Sequence, residues 1–173
     1  MKKFELTTNT KMFLGKKLFQ IKALISFGDV EAGELGGYIE KEENLSQADN
    51  AWVADNARVT DNARVADNAR VTDNAWVAGD ARVTGDARVA DNAWVTDNAS
   101  YTTIKGFGRE YRTTTFFRCK DGKVRVRCGC FYGDLKEFRA IVKKTHGESK
   151  KAKEYLMIAD LMELHFEENE NDK

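Results

Sequence analysis

Residues 49–102 read DNAWVA DNARVT DNARVA DNARVT DNAWVA GDARVT GDARVA DNAWVT DNASYT, a six-residue unit of the form Asp-Asn-Ala-x-Val-(Ala/Thr) written nine times. Within each unit Ala-x-Val alternates between the two sides of a short strand, and the polar pair before it supplies a turn. An α-helix does not fit, because a valine every six residues would move around the helix surface. The stretch therefore predicts a β-solenoid, since hexapeptide repeats are typical of a parallel β-helix.

The repeat resembles the hexapeptide pattern of left-handed β-helix proteins, the superfamily of the sugar and serine O-acyltransferases and the γ-class carbonic anhydrases. The resemblance covers roughly residues 36–102 and implies a left-handed parallel β-helix of about three coils, with three strands in each coil. It also implies a homotrimer, because such proteins usually assemble through their flat faces. The lead-in at residues 36–47 looks like that of hexapeptide-repeat proteins from bacteria, phages and prophages, which implies a phage or prophage origin.

The sequence on either side of the repeat divides the chain into three predicted parts. Residues 1–35 contain two strand patterns, one ending at residue 6, and are expected to form an N-terminal β cap over the unpaired edge of the solenoid. Residues 36–102 form the β-helix, in which Ile39 and Leu45 are expected to take the alanine position of two degenerate first units. Residues 103–173 are expected to form a small C-terminal ββαα domain with an acidic tail. Because the cap and the β-helix consist of strands, the predicted fold class is mainly β.

Turn and cap signals predict the elements of the C-terminal domain. Asp121-Gly122 separates two strand patterns and is a strong hairpin signal. Asp134 is expected to cap a helix that ends at His146-Gly147. A second helix is expected from about residue 149 to residue 166, followed by the tail.

Composition limits the classes of function that remain. The chain carries 28 basic and 28 acidic residues, so its overall charge gives no bias toward nucleic acid or membrane. It has no apolar run of about 18 residues and no signal peptide, which predicts a cytoplasmic protein, in a bacterial host by the resemblance, without a membrane partner. The three cysteines are an odd number, and Cys128 and Cys130 are expected to be buried, reduced and on the same side of one strand.

The outward x position of the repeat predicts three columns of side chains, because residues 18 apart stack in a coil of three six-residue strands. The first column holds Arg58, Trp76 and Trp94. The second column holds Trp52, Arg70 and Arg88. The third column holds Ser46, Arg64, Arg82 and Ser100.

Two interpretations of the first and second columns remain open. In one, the Arg and Trp side chains flatten over the sheet, bury apolar area and neutralise the aspartates at the corners. In the other, both columns are contact surfaces, since Trp and Arg are enriched at interface hot spots. The corner residues are explained by asparagine in a left-handed turn conformation, which predicts no calcium or other metal.

The repeat contains no histidine, which bears on catalysis. The acyltransferases that the chain resembles use a histidine in or beside the coils as a base, and the carbonic anhydrases use histidines to hold zinc. The two histidines of this chain, His146 and His165, lie outside the repeat. The sequence therefore predicts a protein that is not an enzyme and has no cofactor, and O-acyl transfer is the disfavoured alternative.

The strongest local charge lies after the repeat. Residues 103–153 contain 15 Lys or Arg against 5 Asp or Glu. If exposed, the basic side chains of the hairpin would bind phosphate groups, with a nucleotide or nucleic acid as the partner. This candidate phosphate-binding patch comprises Arg118, Lys120, Lys123, Arg125 and Arg127.

These observations predict a non-catalytic, multivalent scaffold that forms a homotrimer and presents its C-terminal domain to an unidentified protein of the bacterial host. The alternative from a different class is a phage counter-defence protein that blocks a host immune complex or sequesters a nucleotide signal. That alternative rests on Trp rings that accept bases and Arg side chains that bind phosphate through two hydrogen bonds. Its candidate residues are Arg58, Trp76, Trp94, Arg125 and Arg127.

Overall fold

The computed structural model describes residues 1–167, and the chain forms two compact units. The first unit comprises residues Met1–Asn98, and the second begins at Ala99. Most of the predicted acidic tail, residues 168–173, lies outside the described residues. Strands predominate and two helices follow them in the second unit, so the predicted mainly β fold class is confirmed.

The first unit combines three longer strands with a series of two-residue strands. The longer strands are β1 Phe4–Phe13, β2 Lys16–Ala23 and β3 Leu35–Ile39, and a 3-10 turn follows at Glu42–Asn44. The repeat supplies the others, namely β4 Trp52–Val53, β5 Arg58–Val59, β6 Arg64–Val65, β7 Arg70–Val71, β8 Trp76–Val77, β9 Arg82–Val83, β10 Arg88–Val89 and β11 Trp94–Val95.

Repeat strands that are three positions apart in the chain, from β4 with β7 to β8 with β11, pair in parallel. Paired residues are 18 apart, as Arg58 with Trp76 and Trp76 with Trp94 show. Three parallel sheets result, with the strand orders β3-β5-β8-β11, β4-β7-β10 and β6-β9. The predicted parallel β-helix of about three coils is therefore confirmed, as is the stacking of the first and second columns.

Valine and alanine fill the interior of the coils. The valine of every repeat strand is fully buried, and the alanines that precede the strands, from Ala51 to Ala93, are exposed by at most 1 %. Short side chains suit this interior, because the three sheets face one another across a narrow space that is packed like a crystal. The x residue between them points outward, so the chemistry of each face depends on that position.

Aspartate opens each turn in a left-handed backbone conformation. The φ angles of these aspartates lie between 54° and 62°, and the two glycines that replace aspartate have φ angles of 59° and 65°. The prediction of asparagine in this conformation is wrong, because the first residue of the pair, not the second, reverses the chain. Aspartate tolerates it because its short side chain forms local hydrogen bonds. The residues concerned are Asp49, Asp55, Asp61, Asp67, Asp73, Asp91, Gly79 and Gly85.

The corner carboxylates join one coil to the next. Asp73 accepts a hydrogen bond from the backbone N–H of Asp91 at 3.2 Å, and Asp67 accepts one from Gly85 at 2.9 Å. The second residue of the pair forms a ladder beside them, as where the Asn68 amide donates to Asp86 at 3.2 Å. These bonds satisfy backbone groups at the corners, which the two-residue strands leave unpaired.

The N-terminal strands extend the first sheet as an antiparallel hairpin. β2 pairs with β3, and β1 pairs with β2 through the turn Leu14-Gly15. Both turn residues have positive φ, 48° for Leu14 and 78° for Gly15, as a two-residue hairpin turn requires. β1 continues to Phe13 and does not end at residue 6 as predicted. Its middle, residues 8–10, is polar and exposed at the sheet edge, and hydrophobic patterning does not reveal such a strand.

The first coil is two residues longer than the later coils. Ile39 pairs with Val59 and Leu45 bridges to Val65, which is a separation of 20 residues in each case. Both residues therefore take the valine position, and the prediction of the alanine position is wrong. Leu45 lies level with Val65, so Ser46, which follows Leu45, does not lie level with Arg64. Ser46 is therefore not part of the third column.

The ninth hexapeptide leaves the coil. Tyr101 lies in β12 Tyr101–Ile104, which pairs antiparallel with β13 Thr114–Arg118. Ser100 is consequently not part of the third column, and its carbonyl accepts the backbone N–H of Arg118 at 2.9 Å. Tyrosine stands where the other units have the inward valine, and its ring is too large for that interior.

The second unit is an antiparallel sheet with two helices packed on one face. The strand order is β12-β13-β14-β15. The predicted hairpin, β13 and β14, and the two helices are present, and β12 and β15 flank the hairpin. The remaining bounds are β14 Val124–Cys128, β15 Phe131–Asp134, α1 Leu135–His146 and α2 Lys150–Phe166.

Helix α1 begins at the predicted cap, and α2 begins beside the predicted residue 149. Asp134 accepts the backbone N–H of Glu137 at 2.8 Å, and the Glu137 carboxylate accepts that of Asp134 at 2.8 Å. Ser149 accepts the N–H of Ala152 at 3.3 Å at the start of α2. The core under the helices comprises Phe116, Val126, Phe138, Val142, Ala152, Tyr155, Ile158, Ala159, Met162 and Phe166.

Candidate functional site

The first column stacks aromatic and cationic side chains one coil apart. Tyr38 of β3 precedes the three predicted members, Arg58, Trp76 and Trp94. The rings of Trp76 and Trp94 meet edge to face with centroids 5.1 Å apart, and both side chains are half-buried. The indole Nε1 of Trp76 donates a 3.0 Å hydrogen bond to Thr60 Oγ1. The ring of Trp76 is therefore held by its hydrogen bond to Thr60 and by the ring of Trp94.

The tip of the β1–β2 hairpin covers part of the first column. The ring of Phe13 meets that of Trp76 edge to face at 5.5 Å, and the guanidinium of Arg58 lies 4.3 Å from the centre of the same Phe13 ring. Lys16 secures the tip through ion pairs with Glu40 at 3.4 Å and with Asp61. The chain itself thus occupies some of the surface that was predicted to receive a partner.

Arg58 is held by contacts within the fold. Its Nη2 donates to the carbonyl of Asn74 at 2.7 Å, and its guanidinium also lies against the ring of Phe13. Burial lowers the pKa of this guanidinium, which means that the fold and not solvent surrounds much of it. For Arg58 the geometry favours the interpretation of packing over the sheet.

The second column is covered by the segment between β2 and β3. Trp52 is fully buried, and its ring meets that of Phe27 edge to face at 5.5 Å. Arg70 forms an ion pair with Asp29, and burial together with the nearby charge of Arg88 lowers the pKa of its guanidinium. The prediction that Trp52 is an interface residue is therefore wrong. Only Arg88 of this column is exposed.

The glycine at position 36 could have indicated from the sequence that Trp52 is buried. A Cβ atom there would lie 2.6 Å from a side-chain carbon of Ile21 and 2.7 Å from the ring of Trp52. No other residue type leaves room for the ring at this point. The pair Gly36-Gly37 just before the repeat could have indicated that a large side chain packs beneath it.

The third column is reduced to two arginines. Arg64 and Arg82 pair across β6 and β9, and both side chains are exposed. This face of the coil is cationic and lacks tryptophan, so its chemistry differs from that of the first column.

The predicted phosphate-binding patch is divided between the two faces of the C-terminal sheet. Arg118 lies on the helix side, where its Nη2 donates to the carbonyl of Phe166 at 2.8 Å. Arg125 and Arg127 lie on the opposite side, because Val126 between them belongs to the core under the helices. The structure does not bring these three arginines to one surface.

The other members of the patch lie at the hairpin turn. Lys120 and Lys123 are exposed, and Arg125 forms an ion pair with Asp121 at 2.8 Å. That carboxylate also accepts the backbone N–H of Lys123 at 3.0 Å, and these contacts lower its pKa. The turn therefore neutralises part of its own positive charge.

A small cavity in the second unit was not anticipated from the sequence. Its volume is about 120 Å³. The rings of His146 and Tyr155 stack with centroids 5.9 Å apart at its wall, and the Tyr155 hydroxyl donates to the carbonyl of Phe107 at 3.3 Å. Burial, and next the neighbouring Cys128, raises the pKa of Tyr155 to about 12. The lining residues are Phe107, Arg109, Glu110, Arg112, Cys128, Gly129, His146 and Tyr155.

The two neighbouring cysteines do not share a strand. Cys128 ends β14 and accepts a 3.2 Å hydrogen bond from Thr114 Oγ1, whereas Cys130 follows Gly129, whose φ is 59°. Cys130 is exposed, so the prediction of two buried thiols on one side of a strand is wrong. Within residues 1–167, no three His, Cys, Asp or Glu side chains cluster as metal ligands would.

Comparisons with protein families and with curated proteins gave no match. No helix among residues 1–167 is long and apolar enough to cross a membrane. The evidence for the β-helix is the structure, in which the strands of the repeat stack in parallel.

Proposed function

We propose that this protein is a non-catalytic, multivalent interaction scaffold of phage or prophage origin. In this proposal the β-helix forms a homotrimer through the Trp76–Trp94 pair and presents the C-terminal units to a protein of the bacterial host. The observation that carries it is the half-buried pair of tryptophans, stacked edge to face at 5.1 Å on the outside of a rigid coil.

Physical reasons favour this pair as a contact. Tryptophan is the residue type most enriched at interface hot spots, where a large ring fills a pocket and excludes water. Trp76 is already fixed by its hydrogen bond to Thr60, so little side-chain freedom remains to be lost on association. In this proposal the part of each ring that is exposed in the single chain becomes buried against an apolar partner surface.

The proposed contact uses fewer residues than the six that the sequence suggested. Trp52 is buried, and Arg58 and Arg70 are engaged by Phe13 and Asp29. The predicted interface of six residues is thereby reduced, in this proposal, to Trp76 and Trp94, with exposed Arg88 on the neighbouring face.

Trp94→Ser tests the trimer, and Arg64→Ser is a matched control at the same position of another unit. Sedimentation velocity at low micromolar concentration is expected to give a trimer for wild type and for Arg64→Ser. The Trp94→Ser protein is expected to sediment as a smaller species with an unchanged circular dichroism spectrum. A wild-type monomer of 19.6 kDa would refute the proposed assembly.

The non-catalytic part of the proposal has its own test. Purified protein is incubated with acyl-CoA and a panel of amino and hydroxyl acceptors, and release of free CoA is measured. We expect no release above the rate of the buffer. Turnover that scales with protein concentration would contradict the proposal and support the acyltransferase alternative.

We propose a second candidate function on the basis of the cavity in the second unit. Arg109 and Arg112 border it, and His146 and Tyr155 provide stacked rings at its wall. Guanidinium groups bind phosphate and aromatic rings accept bases, so the cavity suits part of a nucleotide, as the counter-defence alternative requires.

A thermal-shift screen with linear and cyclic nucleotides tests this second candidate. A ligand present at 100 times its dissociation constant stabilises the folded state by about 2.7 kcal/mol. The shift is expected to disappear in Arg112→Ala and to persist in Arg64→Ser. The absence of a shift with any nucleotide would leave the scaffold as the remaining proposal.

A further inference from the structure

Tyr111 has a backbone conformation that its local structure does not explain. Its φ angle is 50°, in the left-handed region that is unfavourable for a bulky side chain. Seven other non-glycine residues among residues 1–167 share this region. Six are the corner aspartates, whose short side chains form local hydrogen bonds, and the seventh is Leu14 in the two-residue hairpin turn. Tyr111 has no short polar side chain, and the connection that contains it is longer, at residues 105–113.

The ring of Tyr111 is exposed by 69 %. Within residues 1–167 no aromatic contact and no hydrogen bond holds the side chain, so the ring adds little to the stability of the fold. Unfavourable backbone conformations cluster at ligand-binding and catalytic sites, where a contact with the ligand compensates for them. A tyrosine in this conformation therefore points to a ligand.

The neighbours of Tyr111 line the cavity of the second unit. Glu110 precedes it, Arg112 follows it, and both belong to the cavity wall together with Arg109. Consecutive Cα atoms are about 3.8 Å apart, so the backbone of Tyr111 lies beside the cavity. A ligand that extends out of the cavity on this side meets the exposed ring.

The cavity is too small to enclose a nucleotide. Its volume is about 120 Å³, whereas pockets that enclose drug-sized ligands measure roughly 300–1,000 Å³. A nucleotide bound here holds one part inside the cavity and leaves the other part outside. The outer part needs a contact of its own, and an aromatic ring is the side chain on which a base stacks.

Gly108 fixes the start of the loop on the cavity wall. A Cβ atom there would overlap the hydroxyl of Tyr155, and that hydroxyl donates to the carbonyl of Phe107 at 3.3 Å. The loop passes so close to Tyr155 at this point that only glycine fits. Residues 109–112 follow directly, so their side chains start from a fixed point beside the cavity.

The two arginines of the loop are held differently. A Cβ atom on Gly129 would lie 2.8 Å from Nη1 of Arg112, so this guanidinium lies against the backbone of the turn between β14 and β15. Arg109 is exposed by 83 % and pairs at 3.5 Å with Glu110, which is exposed by 55 %. Exposed ion pairs are weak, and a phosphate can replace the carboxylate as the partner of Arg109.

We propose that residues 106–112 form the ligand-binding loop of this cavity and that the ring of Tyr111 stacks on the base of a nucleotide. Arg109 and Arg112 bind the phosphate of the same nucleotide. This inference rests on the second candidate function proposed above and adds to it a binding residue that does not belong to the cavity wall. The ligand covers the exposed ring, which explains why a tyrosine occupies a position that disfavours it.

Tyr111→Asn tests the role of the ring. Asparagine tolerates the left-handed conformation, so the variant loses the ring and relieves the backbone. The thermal midpoint without ligand is expected to equal or exceed that of wild type. The dissociation constant of the nucleotide found in the thermal-shift screen is expected to rise at least about fivefold, measured by titration calorimetry. Tyr111→Phe keeps the ring and is expected to bind within about twofold of wild type.

Leu14→Asn is the matched control. It relieves the same backbone conformation in the first unit, where φ is 48°, and also removes an exposed apolar side chain. Its thermal midpoint is expected to equal or exceed that of wild type. Its affinity for the nucleotide is expected to be unchanged.

Ribose 5-phosphate separates the base from the phosphate. It lacks the base, so it is expected to compete with the nucleotide equally well in wild type and in Tyr111→Asn. Arg112→Ala is expected to weaken both ligands. Failure of ribose 5-phosphate to compete in wild type would overturn the assignment of the phosphate to the arginines.

A free nucleotide and one nucleotide of a single strand present the same base and phosphate. Nucleoside monophosphates, cyclic nucleotides and a short single-stranded oligonucleotide are therefore compared by the same titration. The tightest of them identifies the source of the ligand. Tyr111→Asn is expected to weaken whichever of them wild type binds.

The outcomes distinguish this inference from the function on which it rests. If wild type binds a nucleotide and Tyr111→Asn binds it as tightly, the role of Tyr111 is refuted and the cavity remains a candidate nucleotide site. If wild type binds neither nucleotides nor the oligonucleotide, both are refuted. A thermal midpoint of Tyr111→Asn well below that of wild type would show that the ring serves the fold and would also count against the inference.

Discussion

A Cβ atom on Gly79 would lie 2.3 Å from the carbonyl oxygen of Thr96, one coil further along the chain. Gly85, which also takes the place of aspartate, has no atom within 4 Å of such a Cβ. Both glycines have the left-handed φ that aspartate adopts in six other units, so conformation alone does not explain them. Only at Gly79 does the packing require the absence of a side chain.

Gly79→Asp is expected to lower the free energy of unfolding by about 1–3 kcal/mol, as overpacking of a tight site does. The backbone at Thr96 has to move, because the clash is with a main-chain oxygen and not with a flexible side chain. Urea denaturation followed by circular dichroism measures the change. Gly85→Asp is the control and is expected to stay within about 0.5 kcal/mol of wild type. Equal losses in the two variants would contradict this account.

Trp52→Ala is expected to cost about 3–5 kcal/mol, because the fully buried ring would leave a large cavity beside Phe27. Trp94→Ala is expected to cost about 1 kcal/mol, since Trp94 is half-buried and loses mainly its edge-to-face contact with Trp76. Both are measured by denaturation at a protein concentration low enough for the proposed trimer to be dissociated, so that only the stability of the single chain is compared. Similar losses of unfolding free energy for the two variants would mean that Trp52 and Trp94 do not differ in burial in solution.

Asp73→Ala and Asp73→Gly separate the two roles of a corner aspartate. Both variants lose the carboxylate that accepts hydrogen bonds from the Asp91 N–H and the Thr72 hydroxyl. Only alanine also resists the φ of 60°, so it is expected to be less stable than glycine by about 1 kcal/mol. Thermal unfolding of the two variants side by side gives the difference, and a more stable alanine variant would refute it.

Lys3 makes the stability of the first unit depend on pH. The side chain is buried and donates to the carbonyls of Ala48, Asp49 and Ala51, and burial lowers its pKa from 10.5 to about 8. Between these two values the unfolded chain holds a proton that the folded protein has released. The free energy of unfolding contributed by Lys3 therefore rises with pH across this window.

The comparison with Lys3→Met isolates this contribution, because the variant keeps all other titrating groups. We expect wild type to gain stability relative to Lys3→Met as pH increases from 7.5 to about 10. Denaturation curves at several pH values give the difference. A constant difference would show that Lys3 has the same pKa in both states.

The coil could be predicted from the sequence because its determinants are local and periodic. An inward valine every sixth residue fixes the period, and the polar pair fixes the turn, so the stacking of Arg58 on Trp76 follows by counting. The counting fails at Ile39 and Leu45, where two additional residues lengthen the first coil. No periodic signal marks an insertion inside a degenerate unit.

The burial of Trp52 could not be predicted in the same way. Its cover comes from Phe27 and neighbouring residues of an irregular segment, and contacts between an irregular segment and a sheet face leave no repeating pattern. The hairpin tip over Trp76 is a similar case, since Phe13 lies far from it in sequence. The wall of the cavity in the second unit likewise joins Phe107, His146 and Tyr155 from separate elements.

The pairing of strands 18 residues apart has a consequence for how such a gene can change length. Corner carboxylates accept hydrogen bonds from the coil that follows, as Asp73 does from Asp91, and Asp55, Asp61 and Asp67 do the same one coil earlier. A duplicated cassette of three hexapeptides would insert one coil and leave every later side chain on its original face. A single duplicated hexapeptide would move each later side chain to the next face, and Trp94 would no longer stand above Trp76.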